Sequence, residues 1–255
     1  NYMTIKVNLE SKHLENQVRF WSPHDPFLYD VRVLLHHNDI LIDTVESYFG
    51  FREIDRVNKS ILLNRYPYYQ KLILYQAYFE DTLTTPPSDD AIINDIKMIK
   101  EMGYNGIRIH QVTESDRFLY FCDKMGLLVW VEMPSPHIFN ENMKTTFLHE
   151  WIEIINQNYN NPSVITWVVF NESWGIREIG TSLEQQKYVD ALYYLTKALD
   201  NTRLVVSNDG WEHVKSDVLT LHNYEQDADK LYDYYKDLDL VISRDIPYIP
   251  QRSPL

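Results

Sequence analysis

The chain has 255 residues, 24 Lys and Arg against 37 Asp and Glu, and a formal net charge of −13. A composition 44% hydrophobic and 24% charged belongs to a folded chain, and the acidic balance argues against a dedicated nucleic-acid or anionic-membrane binder. A single cysteine, Cys122, excludes an internal disulfide or a Cys-based zinc site, and the 7 glycines argue against a glycine-rich phosphate loop.

The first 55 or so residues alternate apolar and polar side chains without helical periodicity, which predicts strands over Ile5–Leu9, Leu28–Leu35 and Ile40–Val45. Turn material separates them, Ser22-Pro23-His24-Asp25-Pro26 in one place and His37-Asn38-Asp39 in the other. These strands are too few for a sandwich of about seven, so they read either as a small sheet or as the end of a β-sandwich.

From about Leu62 short apolar strands alternate with amphipathic helices. Strands are predicted at Lys71–Tyr75, Gly106–His110, Leu127–Glu132, Val164–Phe170, Leu204–Ser207 and Leu219–His222. The first helix has Ser88 as cap, Asp89 and Asp90 in its first turn, Ile92, Ile96 and Ile99 on one face, and Gly103 at its end. Further helices are predicted near Phe118–Met125, Lys144–Asn158, Leu183–Leu199 and Ala228–Leu238. Near-continuous apolar strands, each followed by a helix, predict a parallel sheet, and the series without a glycine-rich first turn favours a (β/α)8 barrel over a dinucleotide fold. No run of apolar residues approaches the ~20 needed to cross a bilayer as a helix.

A parallel barrel gathers its chemistry at the C-terminal ends of its strands. Those ends carry Arg108 and His110, Glu132, Asn171 and Glu172, Asp209 and Trp211, His222 and Tyr224. Acids, amides, histidines and aromatics together suit carbohydrate, whose hydroxyls need fixed partners and whose ring faces stack on Trp or Tyr. The run Val164 to Phe170 followed by Asn171-Glu172-Ser173-Trp174 delivers a carboxyl group from a buried strand into that region. Desolvation and a neighbouring carboxylate are expected to raise the pKa of Glu172 enough for it to donate a proton to a leaving oxygen.

Several motifs in order resemble glycoside hydrolase family 2, the family of β-galactosidases, β-glucuronidases and β-mannosidases. They are Trp21-Ser22-Pro23 with Pro26-Phe27-Leu28-Tyr29, Tyr48-Phe49-Gly50-Phe51-Arg52, Ile96 to Arg108 with His110, Cys122 to Leu127 with Glu132, and Phe170-Asn171-Glu172-Ser173. The resemblance implies that residues 1–55 end an immunoglobulin-like β-sandwich domain. It implies that residues 56–255 form a TIM barrel, incomplete at its C-terminal end. It also implies a retaining hydrolysis of terminal β-glycosides, β-galactoside or β-glucuronide above all, by two carboxyl groups about 5 Å apart.

Carried over by the resemblance, Glu172 is the acid/base, Asn171 binds the 2-hydroxyl of the sugar, and Arg108 supports the nucleophile. Tyr224 matches the tyrosine that hydrogen-bonds the nucleophile, while His110, Trp211 and His222 line the pocket. Some β-galactosidases of the family hold Mg²⁺ with a Glu and a His two residues later. Pro134 takes that second position here, so no metal or other cofactor is expected, and Glu132 reads as a substrate contact or its support. The nucleophile is expected past Leu255, which leaves the 255 residues alone inactive and an open barrel edge through which copies associate. The competing reading is a non-catalytic carbohydrate-binding or structural barrel. A metal-dependent hydrolase is disfavoured, because His110, His137, His213 and His222 lack metal-ligand spacing.

Overall fold

The computed structural model of the chain describes residues 18–245, so the predicted strand at Ile5–Leu9 and the segment Ser253–Leu255 lie outside the described residues. Strands β1 (Tyr29–His37) and β2 (Ile40–Phe49) form an antiparallel ribbon. Its turn is Asn38-Asp39, both with positive φ, the backbone that a two-residue hairpin requires and that Asn and Asp tolerate.

A second antiparallel sheet follows, with strands β3 (Ile54–Val57), β4 (Ser60–Leu63) and β5 (Tyr66–Pro67). The sequence reading missed it, because strands of four, four and two residues are too short to establish a period.

The remainder alternates as expected. Strand β6 (Leu72–Tyr75), helix α1 (Asp89–Glu101), β7 (Gly106–Ile109), α2 (Asp116–Met125), β8 (Leu128–Glu132), α3 (Glu141–Asn158), β9 (Val164–Asn171), α4 (Leu183–Leu199) and β10 (Leu204–Asp209) succeed one another. The five strands form one sheet in the order β10-β9-β8-β7-β6, every pair parallel. Sequential strands are therefore neighbours, the arrangement of a barrel wall.

Side-chain oxygens cap the helices, at Ser88 as expected and at three further positions. Ser88 Oγ accepts from Ala91 N, Ser115 Oγ from Phe118 N, Asn140 Oδ1 from Met143 N, and Ser182 Oγ from Gln185 N. Gly126 closes α2 at φ +70°, and a Cβ there would stand 2.6 Å from the Pro23 carbonyl oxygen, so only glycine fits.

Alternation along the strands, interrupted in β9 by a bulge at Ile165, divides the core. Ile107, Val129, Val131, Trp167 and Val169 face Ile92, Ile96, Ile99, Phe118, Trp151 and Val189 of the helices. Leu128, Trp130, Ile165, Val168 and Val206 point the other way and pack with Trp21 and Leu63.

Two expectations need correction. Leu219–His222 is not a strand among the described residues. The Thr220 N–H and carbonyl lie 3.1 and 2.9 Å from His213 Nε2, which bonds one or the other according to its tautomer, and His222 N donates to Gly210 O at 3.2 Å, so no continuous ladder forms beside β10. The helix expected at Ala228–Leu238 ends sooner, as α5 (Ala228–Tyr235), and a further helix that was not expected, α6 (Leu238–Asp245), follows it. Asp237, next to the end of the expected range, accepts from Leu240 N and so caps the start of α6.

Candidate active site

The C-terminal ends of the parallel strands open on one cavity of about 370 Å³, lined by Arg108, His110, Asn171, Glu172, His222 and Tyr224 with Leu74, Leu221 and Asn223. Six of the eight residues expected at the site therefore meet there. Trp211, half-exposed, also hydrogen-bonds toward Glu172. Glu132 lies beneath them.

Glu132 is fully buried, which among the two roles expected for it favours support of the site over contact with substrate. Its carboxylate forms an ion pair with Arg108 and stands 2.9 Å from His110 Nδ1. It also accepts from Gln111 N at 3.1 Å and from Gln111 Nε2 at 2.7 Å. A carboxylate so surrounded holds the β7 end rather than a sugar. The same residues do not fit the magnesium site known in some members of the resembling family, since a guanidinium already occupies Glu132 and Pro134 offers no ligand.

Arg108 is held on three sides. Besides Glu132, its Nε lies 2.7 Å from Asp209 Oδ2, and its Nη2 donates to Asn171 Oδ1 at 2.7 Å. With the Asn171 oxygen taken, its amide NH2 remains as the donor group available to a hydroxyl.

Glu172 and Ser173 both adopt positive φ, +50° and +56°, at the abrupt turn where β9 ends. Non-glycine residues resist this conformation by about 1 kcal/mol or more each, so neighbouring contacts must hold it. Ser173 N donates to Asn208 Oδ1 at 3.0 Å, Asn208 Nδ2 donates to Ser173 Oγ at 2.9 Å, and Ser173 Oγ donates to Glu212 at 2.6 Å. Glu172 N donates to the Asp209 carbonyl at 2.9 Å.

The Glu172 carboxylate accepts from His222 Nδ1 at 2.7 Å and from the Tyr224 hydroxyl. Its expected raised pKa is corrected: burial pushes it up, but the hydrogen bonds of Tyr224, His222 and Trp211 outweigh burial and hold it below the usual Glu value. Among the described residues the Tyr224 hydroxyl donates to Glu172. His222 and Asp209 complement each other. Burial lowers the imidazole pKa, yet Asp209 and Glu172 bring it above its ordinary value. Burial likewise raises Asp209, and the His222 hydrogen bond and Arg108 charge bring it below the usual range.

Sequence reading singled out Asp209 by its place at a strand end but missed Gln111, Ser135, Ser173, Asn208 and Glu212. Gln111 Nε2 donates to Ser135 Oγ at 3.0 Å, and that oxygen accepts from Asn171 N at 3.3 Å, so the pair ties the β7 and β8 ends to β9. Nothing in their spacing marks these residues; the nearest signal is the polar run just past each strand.

Comparison with known proteins adds to the geometry. Residues 87–243 match the family model described as glycosyl hydrolases family 2, TIM barrel domain, and residues 3–52 match that of glycosyl hydrolases family 2. A β-glucuronidase of Streptococcus agalactiae is 31% identical over 211 residues, covering 75% of this chain and 34% of that protein. A β-galactosidase of Thermoanaerobacterium thermosulfurigenes is 30% identical over 178 residues, 68% of this chain and 24% of the relative. Among solved structures, a β-galacturonidase from Eisenbergiella tayi bound to galacturonate superposes with TM-score 0.72 at 25% identity, over 91% of this chain and 43% of that one. An FMN-binding β-glucuronidase from Facaelibacterium prausnitzii L2-6 gives TM-score 0.75 at 25% identity, over 90% and 37%. The chain thus spans between about a quarter and a third of the length of these curated relatives.

Proposed function

The chain belongs to glycosyl hydrolase family 2, and from that premise we propose that it carries the acid/base side of a retaining β-glycosidase site, with terminal β-glucuronides or β-galactosides as substrates. Glu172 is the acid/base: it protonates the leaving oxygen in the first step and takes a proton from water in the second. Asn171, held by Arg108, presents its amide NH2 to the sugar. Trp211 and Tyr224 offer aromatic faces, and His110 lines the cavity.

One observation carries this reading. A glutamate in a left-handed turn is fixed by Ser173, Asn208 and Glu212 so that its carboxyl projects among the residues lining a cavity at the strand ends. Local strain of this kind concentrates at functional sites. The second carboxylate of a retaining pair is not among the hydrogen-bond or ion-pair partners of Glu172 in the described residues, which are His222, Tyr224 and Trp211.

Within the same reading, residues 1–55 are the end of an immunoglobulin-like domain and 56–255 belong to the barrel. The β1–β2 ribbon and the separate family match over residues 3–52 support that division.

The test is Glu172→Gln in a glycosidase-active polypeptide carrying this chain. Loss of general acid should cost about 10²- to 10⁴-fold on β-glycosides with poor leaving groups and much less on 4-nitrophenyl glycosides. Equal losses on both would count against the acid/base role.

A further inference from the structure

Past the end of β10 a histidine stands between two carboxylates. His222 Nδ1 is 2.7 Å from Glu172 Oε1, and on the opposite side of the ring Nε2 is 3.4 Å from Asp209 Oδ2. Ionised carboxylates only accept hydrogen bonds, so both contacts are satisfied together only when both ring nitrogens carry hydrogen.

The ring's place is built into the backbone. Gly210 has φ +86°, and a Cβ there would fall 2.2 to 2.4 Å from His222 Cγ, Cδ2 and Nδ1. The imidazole therefore lies against a residue whose side chain is absent. His222 N donates to the Gly210 carbonyl at 3.2 Å and Thr220 Oγ1 accepts from Gly210 N at 2.8 Å, which fastens the histidine's loop to the strand end.

We propose that His222 is a positioning residue that stores the proton of Glu172, with Asp209 orienting the ring, and that the three titrate as one unit. The proposal rests on the reading of Glu172 as acid/base. In the free site the proton sits on the ring and Glu172 is a carboxylate. When a leaving oxygen arrives, the proton crosses the 2.7 Å contact from Nδ1 to Glu172, and the imidazole left behind is neutral, with its remaining N–H toward Asp209. No atom besides that hydrogen moves between them. The groups that face the ring are Glu172 from the β9 end, Asp209 from β10, Arg108 from β7 and Tyr224 from its own loop, with His213 acting at longer range. Arg108 and His213 disfavour the charged ring, whereas the two carboxylates favour it and lie closer. A carboxylate paired in this way keeps its proton source at a pH where an isolated Glu has lost its own.

Nitrogen-15 NMR of the 255-residue chain with labelled histidine reads the proton directly. Both His222 nitrogens should be protonated near neutral pH, with a midpoint above the ordinary value of about 6.5. Glu172→Gln and Asp209→Asn should each lower that midpoint, by about one unit for the closer Glu172. A midpoint unmoved by Glu172→Gln, or a ring protonated only at Nε2, overturns the proposal. If the amide spectrum shows Asp209→Asn unfolded, Glu172→Gln alone decides. In a glycosidase-active polypeptide, His222→Gln should move the alkaline limb of kcat/KM more than one unit toward acid, since the remaining acid is a carboxyl with an ordinary value of about 4.3. A lower kcat with an unmoved limb would show a structural role only and also overturn it. The NMR titration does not need turnover, so coupled titrations in the 255-residue chain, with a longer polypeptide carrying it and a second carboxylate found inactive on β-glycosides, would refute the glycosidase reading while leaving the proton pair standing.

Discussion

Glu114, in the loop between β7 and α2, should make stability depend on pH near neutrality. Its side chain is 5% exposed, Oε1 has no hydrogen-bond partner, and the contact to Oε2 from Ser115 N is long, at 3.4 Å. Burial without donors, with the Asp95 charge adding to it, pushes its carboxyl from 4.5 up to about 7. The folded chain therefore keeps a proton that the unfolded chain releases. Stability from this group is complete below pH 4.5, falls as pH rises, and levels off above about 7. A rise of about 2.5 units corresponds to about 3 kcal/mol in all, of which about 2.5 kcal/mol lies between pH 5 and pH 8. Glu114→Gln removes the titration while keeping the shape. Urea unfolding of both proteins across that range should show the variant gaining on the wild type by roughly 2.5 kcal/mol as pH rises, whatever its offset at pH 5. Other carboxylates contribute to both proteins and largely cancel in the difference. A stability gap that stays flat from pH 5 to pH 8 would refute the burial argument.

Arg52 binds the N-terminal segment to the barrel by donating to the carbonyls of Pro162, Thr202 and Val164 at 3.2, 2.9 and 2.9 Å. Arg52→Met should cost about 3 kcal/mol in denaturant unfolding, because three carbonyls lose a charged donor together, and Arg52→Lys should restore only part of it. Gly210→Ala should push the His222 ring away from Glu172 and strain a residue at φ +86°, at a cost of about 1 to 3 kcal/mol. In that variant the His222 midpoint should fall toward the ordinary histidine value; an unchanged midpoint would mean that the ring does not depend on the glycine.

The barrel wall was legible because each of its signals is short in range. Ser88, Asp89 and Asp90 start α1 and Ile92, Ile96 and Ile99 bury it, as their spacing alone requires. The two misplaced elements lie where local patterns compete with side chains from elsewhere. Leu219–His222 has the apolar character of a strand, but the His213 ring sits against the Thr220 backbone and competes for it. Ala228–Leu238 has helical periodicity, but the helix stops at Tyr235 and Asp237 caps the start of another just beyond it. Strands β3 to β5 left no pattern long enough to read.

The site divides along the same line. Order along the chain suffices to bring Arg108, His110, Asn171 and Glu172 to one end of a parallel sheet, because a strand's direction puts its last residues there. Partners within that end are another matter. His222 and Tyr224 meet Glu172 across 50 and 52 residues, through a loop with no period of its own. Only the folded chain buries Glu132 under Arg108 and turns three donors on Glu172, reversing the pKa shift that desolvation alone implies. By itself the sequence determined the family, the parallel wall and the acid at its rim, since periodicity, caps and contiguous motifs act over a few residues. The tertiary structure decided which hydrogen meets which oxygen, because proton affinity depends on contacts within about 3 Å between segments far apart in the chain.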